Sequence, residues 1–218
     1  MTEDEARTWI KDSFDVSHET WARLERFVDL LLEESERQNL IAASTVPEVW
    51  ARHIVDSAQL LTMVPTGFPP GEWIDLGSGP GLPGLVVAIL SDRPMRLVES
   101  RRGRYEFLEN IVQRLGLSHV SVAGVTLERL VPEAPAAIIS ARAFAPLPRL
   151  LEKAARFADT GTLWLLPKGR NAESELDIAR RSWQGAFHMK HSITSDESII
   201  ITATGVQPRG RKQRAARR

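Results

Sequence analysis

The chain of 218 residues contains no cysteine, which excludes disulfide bonds, thiolate metal sites and catalysis by a cysteine nucleophile. No apolar run approaches the roughly 20 residues that span a membrane. The acidic start, Thr2 to Glu5, does not resemble a signal peptide. The five histidines lack the spacing of metal ligands, so no metal is expected. These absences predict a cytoplasmic protein without a membrane partner.

Positive and negative charges balance over the whole chain but are unevenly placed. Residues 1–40 carry eleven acidic and five basic side chains, whereas residues 209–218 carry six basic and no acidic ones. A basic end of this kind suggests a polyanionic partner such as nucleic acid. Arg211, Lys212 and Arg214 are its candidate RNA contacts. The alternative, a solvated tail that aids solubility, fits the tail equally well.

The first 70 residues are predicted to form a helical cap. Apolar residues recur on one face of residues 17–38, with glutamate and arginine opposite, and Ser17 suits the helix N-cap. A second helix is predicted at 45–64, and the breaker cluster 66–71 marks a boundary. The expected divisions are the N-terminal helical cap (1–70), a second domain (71–206) and a basic, disordered tail (207–218).

From residue 72 onward, strand and helix patterns alternate, which is typical of a parallel sheet with helices on both faces. Strands are predicted at 72–76, 94–99, 119–123, 136–140 and 161–166. Helices are predicted at 82–91, 101–116, 146–157 and 171–183. Two further strand-like runs, 186–194 and 198–205, are separated by too few residues for a crossover helix, so an antiparallel hairpin is expected. The sequence therefore predicts a Rossmann-like α/β domain with a seven-stranded sheet and a terminal antiparallel hairpin.

A glycine-rich loop follows the first strand. Glycine lacks a Cβ and tolerates positive φ, so the backbone of such a loop can approach a ligand closely. Two nucleoside cofactors fit the pattern. Gly79, Gly81 and Gly84 match the dinucleotide pattern G-x-G-x-x-G. The run Asp75-x-Gly77-x-Gly79-x-Gly81 matches instead the loop that binds S-adenosylmethionine.

Asp75 favours S-adenosylmethionine, because a carboxylate at the end of the strand would repel a pyrophosphate. It could meet the amino-acid part of S-adenosylmethionine through solvent or loop amides. The terminal hairpin favours the same cofactor, since a parallel dinucleotide sheet would continue with another helix. Glu99 closes the second strand, where a carboxylate accepts hydrogen bonds from ribose hydroxyls. After the third strand, Leu127 is placed to pack on adenine and Glu128 to read its edge.

Basic side chains follow the fourth and fifth strands. Arg142 offers a planar cation that suits a phosphate or a guanine edge. Lys168 and Arg170 flank the same rim of the predicted sheet, although a charged turn before a helix explains them equally well. The Asn/Asp-Pro-Pro-aromatic motif that holds an exocyclic amine is absent after the fourth strand. Phe144 either stacks on a ligand or fills the core, and the core is favoured.

Polar residues on the predicted cap form a further cluster. His53 and Asp56 lie three residues apart on one helix face, and Asn39 joins them. A single helical histidine is more often structural than catalytic. We therefore expect His53 and Asp56 to tie the cap to the sheet, with Asn39 and His53 as candidate RNA contacts.

Together these motifs resemble the family of bacterial 16S ribosomal RNA guanine-N7 methyltransferases, also called glucose-inhibited division protein B. The similarity covers residues 24–204, and its most specific parts are Pro83 within the glycine loop and the run Arg142-Ala-Phe-Ala145. The chain departs from the family at Glu99, where aspartate is usual, and at Thr126, where a basic residue is common.

The resemblance implies a class I S-adenosylmethionine-dependent methyltransferase that modifies guanine N7 in 16S ribosomal RNA. Because N7 carries an in-plane lone pair, it can attack the sulfonium methyl in line without a general base. The predicted catalytic residue is Arg142. The predicted cofactor contacts, from motifs and resemblance together, are Asp75, Gly77, Gly79, Gly81, Leu82, Glu99, Ser100, Leu127, Glu128 and Arg142. The predicted RNA contacts are Asn39, His53, Lys168, Arg170, Arg211, Lys212 and Arg214.

The substrate implied by the resemblance is free 16S RNA, the small ribosomal subunit or an intermediate of its assembly, and a monomeric enzyme is expected. Two other functions fit the residues less well. One is a nucleotide-dependent oxidoreductase that uses the same glycine loop. The other is an RNA-binding or ribosome-associated module that keeps the fold without the activity.

Overall fold

The computed structural model describes residues 1–210, which contain a seven-stranded sheet flanked by helices on both faces. The strands are β1 (Trp73–Leu76), β2 (Met95–Val98), β3 (Val120–Ala123), β4 (Ile138–Ser140), β5 (Leu163–Lys168), β6 (Trp183–His191) and β7 (Ile199–Pro208). Their order is β3-β2-β1-β4-β5-β7-β6, with the first five parallel and β7 antiparallel to both of its neighbours. The order reverses between β1 and β4, which places a crevice at the carboxyl ends of these strands.

Seven α-helices occur among the described residues: α1 (Glu3–Ser13), α2 (His18–Ser35), α3 (Asp56–Ala58), α4 (Gly84–Leu90), α5 (Arg102–Arg114), α6 (Leu147–Ala154) and α7 (Ala172–Ser182). The pattern predicted for residues 72–205 is confirmed, with element ends shifted by at most three residues. Strands β1 and β4 are buried at every position, as expected of parallel strands covered on both faces. The edge strand β6 is mostly exposed, which explains its weaker apolar signal.

The first helix, α1, was not predicted. A capping box begins it: Thr2 Oγ1 accepts the Glu5 backbone N–H, and the Glu5 carboxylate accepts the Thr2 N–H. The side chain of Glu3 also accepts the backbone N–H groups of Trp50 and Ala51, at 3.1 and 2.9 Å. The Thr-x-x-Glu spacing was the sequence signal for this helix.

The single helix predicted at 45–64 is wrong. The structure instead contains a 3-10 segment (Ala43–Glu48), a π-helical turn (Trp50–Val55), the short α3 and a second 3-10 segment (Leu61–Met63). Pro47 has no backbone N–H to donate, and it lies inside the first 3-10 segment. Single π-helical turns are frequent near functional sites. Here the turn carries His53 and leads directly into Asp56.

The helical cap and the sheet share one hydrophobic core. Ile10 of α1 and Leu24 of α2 are fully buried in the same cluster as Leu85 of α4 and Leu97 of β2. A second cluster on the opposite face contains α6, α7 and Trp164 of β5. Removing the cap would therefore expose the buried apolar side chains of α4 and of the core that α4 shares with the sheet.

Strand β7 extends to Pro208, two residues beyond the predicted end of the second domain at 206. Arg211, Lys212 and Arg214, the predicted RNA contacts of the tail, lie outside the described residues. Within residues 1–210, no helix combines the length and apolar character needed to cross a membrane.

Candidate functional site

Two cavities adjoin each other at the carboxyl ends of the parallel strands. The smaller cavity, of about 350 Å³, lies at the ends of β1, β2 and β3. The larger cavity, of about 510 Å³, lies beyond β4 and β5. Ala143 and Phe144, in the loop after β4, line both cavities and form the wall between them. Both volumes fall within the range of small-molecule sites.

The smaller cavity gathers many of the predicted cofactor contacts. It is lined by Gly77, Glu99, Ser100, Leu127 and Glu128, which come from the ends of three neighbouring strands. Arg104 of α5, which was not among the predicted cofactor contacts, also lines this cavity. Its sequence signal was the resemblance to the family, in which it belongs to the same motif as Glu99 and Ser100.

Glu99 holds the glycine-rich loop in place. The side chain is 6% exposed, and its two oxygens accept the backbone N–H groups of Gly79 at 3.0 Å and Arg101 at 2.8 Å. A carboxylate has about four lone-pair positions, so this one retains capacity to accept hydroxyl groups from a ribose. Glu99 thus orders the loop and also faces the cavity.

Asp75 lies beneath the loop and does not line either cavity. It is 1% exposed, with Oδ2 accepting the Gly84 N–H at 3.2 Å and Oδ1 accepting the Ser140 hydroxyl at 2.6 Å. Burial raises the pKa of the Asp75 carboxyl above its usual value. Its link to a cofactor stays a prediction, and of the two routes considered, solvent or loop amides, this burial favours the loop amides.

Close approach between backbone and side chain makes glycine necessary at Gly77. This residue has φ +67°, and a Cβ there would lie 2.5 Å from the Phe144 ring. The Phe144 ring thus leaves no room for a side chain at this position, and a backbone without a Cβ can be approached closely by a ligand. Gly79 donates its N–H to Glu99, and Gly79, Gly81 and Leu82, three of the predicted cofactor contacts, are buried and do not line the cavity.

The third side of the smaller cavity comes from the segment after β3. Leu127 is 5% exposed and offers an apolar surface. Glu128 forms an ion pair with Lys153 of α6, and this hydrogen bond lowers the pKa of Glu128 to about 2. Glu128 is solvent-exposed, so the pair contributes little to stability. The cavity therefore combines an apolar wall with carboxylates at two rims.

The larger cavity is lined by side chains from distant parts of the chain. Its lining includes Asp56 from the cap, Arg142 and Phe144 after β4, Lys168 at the end of β5, and Ser192 after β6. Pro146, Pro167 and Ile200 add apolar surface. Flat apolar and aromatic walls with a few charged groups suit a nucleobase.

Arg142 lines the larger cavity, not the smaller one in which cofactor contact was predicted. Its Nη1 atom lies 3.4 Å from Asp56 Oδ2, and its side chain is 22% exposed. Arg142 adjoins Ala143 and Phe144 in the chain, and these two residues line both cavities. Its guanidinium therefore lies near the junction of the cavities, on the side of the larger one.

Lys168 and Arg170, predicted together at one rim, have different surroundings. The side chain of Lys168 is 10% exposed, donates to the Ala145 carbonyl at 2.6 Å and pairs with Glu175 at 3.0 Å. It therefore fixes the loop that carries Arg142. Arg170 is 78% exposed, pairs with Glu197 at 3.0 Å and lines neither cavity.

The polar cluster of the cap meets the sheet next to the larger cavity. His53 Nε2 lies 2.8 Å from Thr45 Oγ1, and its Nδ1 atom is buried without a partner among residues 1–210. Burial, followed by the charge of Arg142, lowers the pKa of His53 to about 4. Asn39 is exposed and lines neither cavity.

Asp56 joins the cap to the terminal hairpin. Its Oδ1 atom accepts hydrogen bonds from Gln59 Nε2 at 3.0 Å, Ser192 Oγ at 3.2 Å and Thr194 Oγ1 at 2.9 Å. The expected tie between the cap and the sheet is thus formed by Asp56. No sequence pattern pointed to Ser192 or Thr194, because they lie more than 130 residues away along the chain.

Known proteins resemble this chain in sequence and in structure. A family model described as rRNA small subunit methyltransferase G matches residues 20–199. The ribosomal RNA small subunit methyltransferase G of Sphingopyxis alaskensis is 58% identical over 200 residues, covering 92% of this chain and 85% of that protein. The protein of the same name from Rhizorhabdus wittichii is 54% identical and covers 100% of this chain and 99% of that protein.

Among solved structures, a SAM-dependent methyltransferase from Aquifex aeolicus superposes with a TM-score of 0.59 at 12% identity. The match covers 73% of this chain and 93% of that one. At this identity the likeness concerns the fold alone. It confirms the predicted fold class, an α/β class I methyltransferase domain that ends in an antiparallel hairpin and follows a helical segment.

Proposed function

Because the chain belongs to the rRNA small subunit methyltransferase G family, we propose that it methylates N7 of a guanine in 16S ribosomal RNA. The methyl donor is S-adenosylmethionine, in agreement with the family and the fold. This membership agrees with the resemblance carried by the motifs and sets aside the dinucleotide-dependent oxidoreductase. The proposed setting is the cytoplasm, with a monomeric enzyme acting on the small subunit or its precursor.

The observation that carries the proposal is the pair of adjoining cavities with a shared wall. Methyl transfer needs a donor and an acceptor in contact, and among residues 1–210 only Ala143 and Phe144 line both cavities. The smaller cavity has the features of a nucleoside site at a point where strand order reverses. The larger cavity has flat apolar walls and two cationic side chains, Arg142 and Lys168, that suit an RNA nucleotide.

Glu99, Leu127 and the backbone at Gly77 would hold the cofactor in the smaller cavity. When bound, S-adenosylmethionine supplies an electrophilic methyl group, which the in-plane lone pair of guanine N7 can attack directly. No proton need leave N7 before the attack, so this chemistry requires no general base. The task of the protein is to align the base and to exclude water, and such positioning can lower a barrier by roughly 7–11 kcal/mol.

Arg142 is the proposed catalytic residue. Its guanidinium lies in the larger cavity next to the shared wall, where it can donate to a guanine edge or to a neighbouring phosphate. Lys168 supports it by binding the carbonyl of Ala145 in the same loop. A fixed loop matters, because a displacement of about 1 Å can cost 100-fold in rate.

The test is methyl transfer from labelled S-adenosylmethionine to small ribosomal subunits that lack the modification, with the methylated atom mapped chemically. We expect label at guanine N7 of the 16S RNA. Arg142→Met should lower the rate at least 100-fold, while the cofactor still binds in calorimetry. Label at another atom or in another RNA would overturn the proposal. Cofactor binding without any transfer would favour the inactive RNA-binding module.

A further inference from the structure

The larger cavity contains a charged pair, and the proposed reaction assigns a role only to its arginine. Asp56 and Arg142 line it together, with Oδ2 and Nη1 3.4 Å apart. Their side chains are 15% and 22% exposed, so both are partly desolvated. At this distance the contact is long for a charge-assisted hydrogen bond. A carboxylate and a guanidinium held side by side in this way can each form a hydrogen bond with the same bound group.

The two oxygens of Asp56 have different surroundings. Oδ1 accepts hydrogen bonds from Gln59, Ser192 and Thr194, which fix the carboxylate to the cap and to the terminal hairpin. Oδ2 has, among the described residues, only the long contact with Arg142. One oxygen is therefore anchored, while the other keeps acceptor capacity at the cavity.

The Watson–Crick edge of guanine is complementary to this pair. It presents the O6 acceptor beside the N1–H and N2–H donors, whereas adenine presents a donor beside an acceptor at N1. An arginine donates to O6, and a carboxylate accepts from N1–H and N2–H. Enzymes that modify a base commonly read its Watson–Crick edge in this way.

The positions of the residues match the order of atoms around the purine. N7 must face the smaller cavity, so it lies nearest the wall formed by Ala143 and Phe144. O6 follows N7 around the ring, and Arg142 adjoins that wall in the chain. N1 and N2 come next, and Asp56 lies beyond Arg142 on the side of the cap.

We infer that Asp56, together with Arg142, forms a guanine-reading site in which Asp56 Oδ2 accepts from N1–H and N2–H. Asp56 is thereby the specificity-determining residue, and Arg142 the donor to O6. The inference rests on the proposed function, since it requires a guanine whose N7 points toward the smaller cavity. It also gives the cap a role in substrate choice, because α3 supplies the reading carboxylate.

Replacing the target guanosine by inosine tests this role, because inosine lacks only the N2 amino group. The probe is 16S RNA ligated to carry guanosine or inosine at the target position, assembled into small subunits. We expect single-turnover methyl transfer by the wild-type protein to be about tenfold slower with inosine, as for loss of a hydrogen bond to a charged group. Equal rates for the two substrates would overturn the inference without any variant.

Asp56→Ala completes a double-mutant cycle. We expect it to be slower on guanosine and to lose the discrimination, so that its guanosine-to-inosine rate ratio falls from about ten to about one. Thr194→Val is the matched control, since it removes one donor to Oδ1 and leaves Oδ2 in place. It should keep the wild-type ratio.

The outcomes separate this inference from the proposed function. If the wild-type protein methylates no guanine N7, the proposed function fails. If it methylates N7 and Asp56→Ala keeps the wild-type ratio, the guanine-reading role fails alone. Binding of S-adenosylhomocysteine and the thermal midpoint report whether Asp56→Ala is folded. If it is not, the wild-type comparison of guanosine with inosine still decides.

Discussion

The two cavities lie side by side but are built in different ways. The smaller cavity is formed by the ends of three neighbouring parallel strands, and the backbone N–H of Gly79 holds the Glu99 carboxylate that lines it. The larger cavity is formed mainly by side chains from the cap, the loop after β4 and the terminal hairpin. Asp56 and Thr194, which meet there, are separated by 138 residues.

This difference predicts how each cavity responds to mutation. A backbone-built site is sensitive to the volume and φ angle of glycine and to the buried group that supports the loop. A site built from side chains is sensitive to the ion pairs and hydrogen bonds that position each group. Substitutions at the smaller cavity should therefore affect the stability of the loop or the affinity for the cofactor, whereas those on the cap side should affect the pH dependence of stability or RNA-dependent behaviour.

The largest expected effect is that of Asp75→Ala on the cofactor side. The substitution leaves the Gly84 N–H and the Ser140 hydroxyl without their acceptor in a buried site. We expect the free energy of unfolding, measured with urea, to fall by about 2–5 kcal/mol. Asp92→Ala removes an exposed carboxylate and should change it by less than about 0.5 kcal/mol. A loss below about 1 kcal/mol for Asp75→Ala would show that the loop does not depend on this support.

The next effect concerns pH and the cap side. The pKa of His53 falls from 6.5 to about 4 in the folded protein, so between these values the unfolded chain binds more protons. Stability therefore decreases as the pH is lowered from 6.5 toward 4, by up to about 3 kcal/mol before allowance for solvent screening. His53→Gln should lose this component.

The measurement is the difference in unfolding free energy between wild type and His53→Gln at several pH values. This difference should shrink steadily as the pH drops through that window. His188→Gln is the comparison, since His188 lies on the exposed edge strand β6. A difference that does not vary with pH would contradict the burial of a neutral imidazole beside Arg142.

Gly77→Ala should weaken cofactor binding through the backbone. The residue has φ +67°, which costs an L-residue roughly 1–2 kcal/mol, and its Cβ would meet the Phe144 ring. We expect the Kd for S-adenosylhomocysteine, measured by calorimetry, to rise at least about tenfold. Gly116→Ala has a similar φ of +63° with no atom within 4 Å of the added Cβ. Equal Kd values for the two variants would argue against a role of the closely packed Gly77 backbone in cofactor binding.

The smallest effect is expected for Arg170→Gln. The residue forms an exposed ion pair with Glu197, so stability should change by less than about 0.5 kcal/mol. Its predicted contact with RNA remains a prediction, and salt dependence can test it. If Arg170 binds one phosphate, the slope of log affinity against log salt should fall by about one in magnitude. An unchanged slope would leave Arg170 with only its surface ion pair.

The fold of residues 72–205 could be predicted because its signals are local. Short apolar runs separated by helix patterns predict parallel strands, and the three residues between the last two runs predict a hairpin. The cap was harder to predict. The capping box of α1 was overlooked, and the region around Pro47 has helical composition but changes its hydrogen-bonding pattern three times. Composition alone does not distinguish α-, 3-10 and π-helical turns.

The candidate site likewise has features that could be predicted from the sequence and features that could not. Asp75, Gly77 and Glu99 could be found from the sequence because they stand at strand ends, and parallel topology brings such ends to one edge. The sequence did not reveal that Asp75 points beneath the loop or that Arg142 faces the larger cavity. The direction of each side chain depends on its burial and its hydrogen-bond partners. Those partners come from other helices, strands and loops, so the local sequence does not reveal them.

Local patterns were thus enough to predict the sheet, the glycine-rich loop and the strand ends beside the smaller cavity, since these signals lie within a few residues of one another. The larger cavity, the anchoring of Asp56 by the terminal hairpin and the contact of Asp56 with Arg142 became visible in the folded molecule alone. They arise because a shared hydrophobic core holds the cap to the sheet and its helices. That packing brings together side chains whose distance along the chain carries no local pattern.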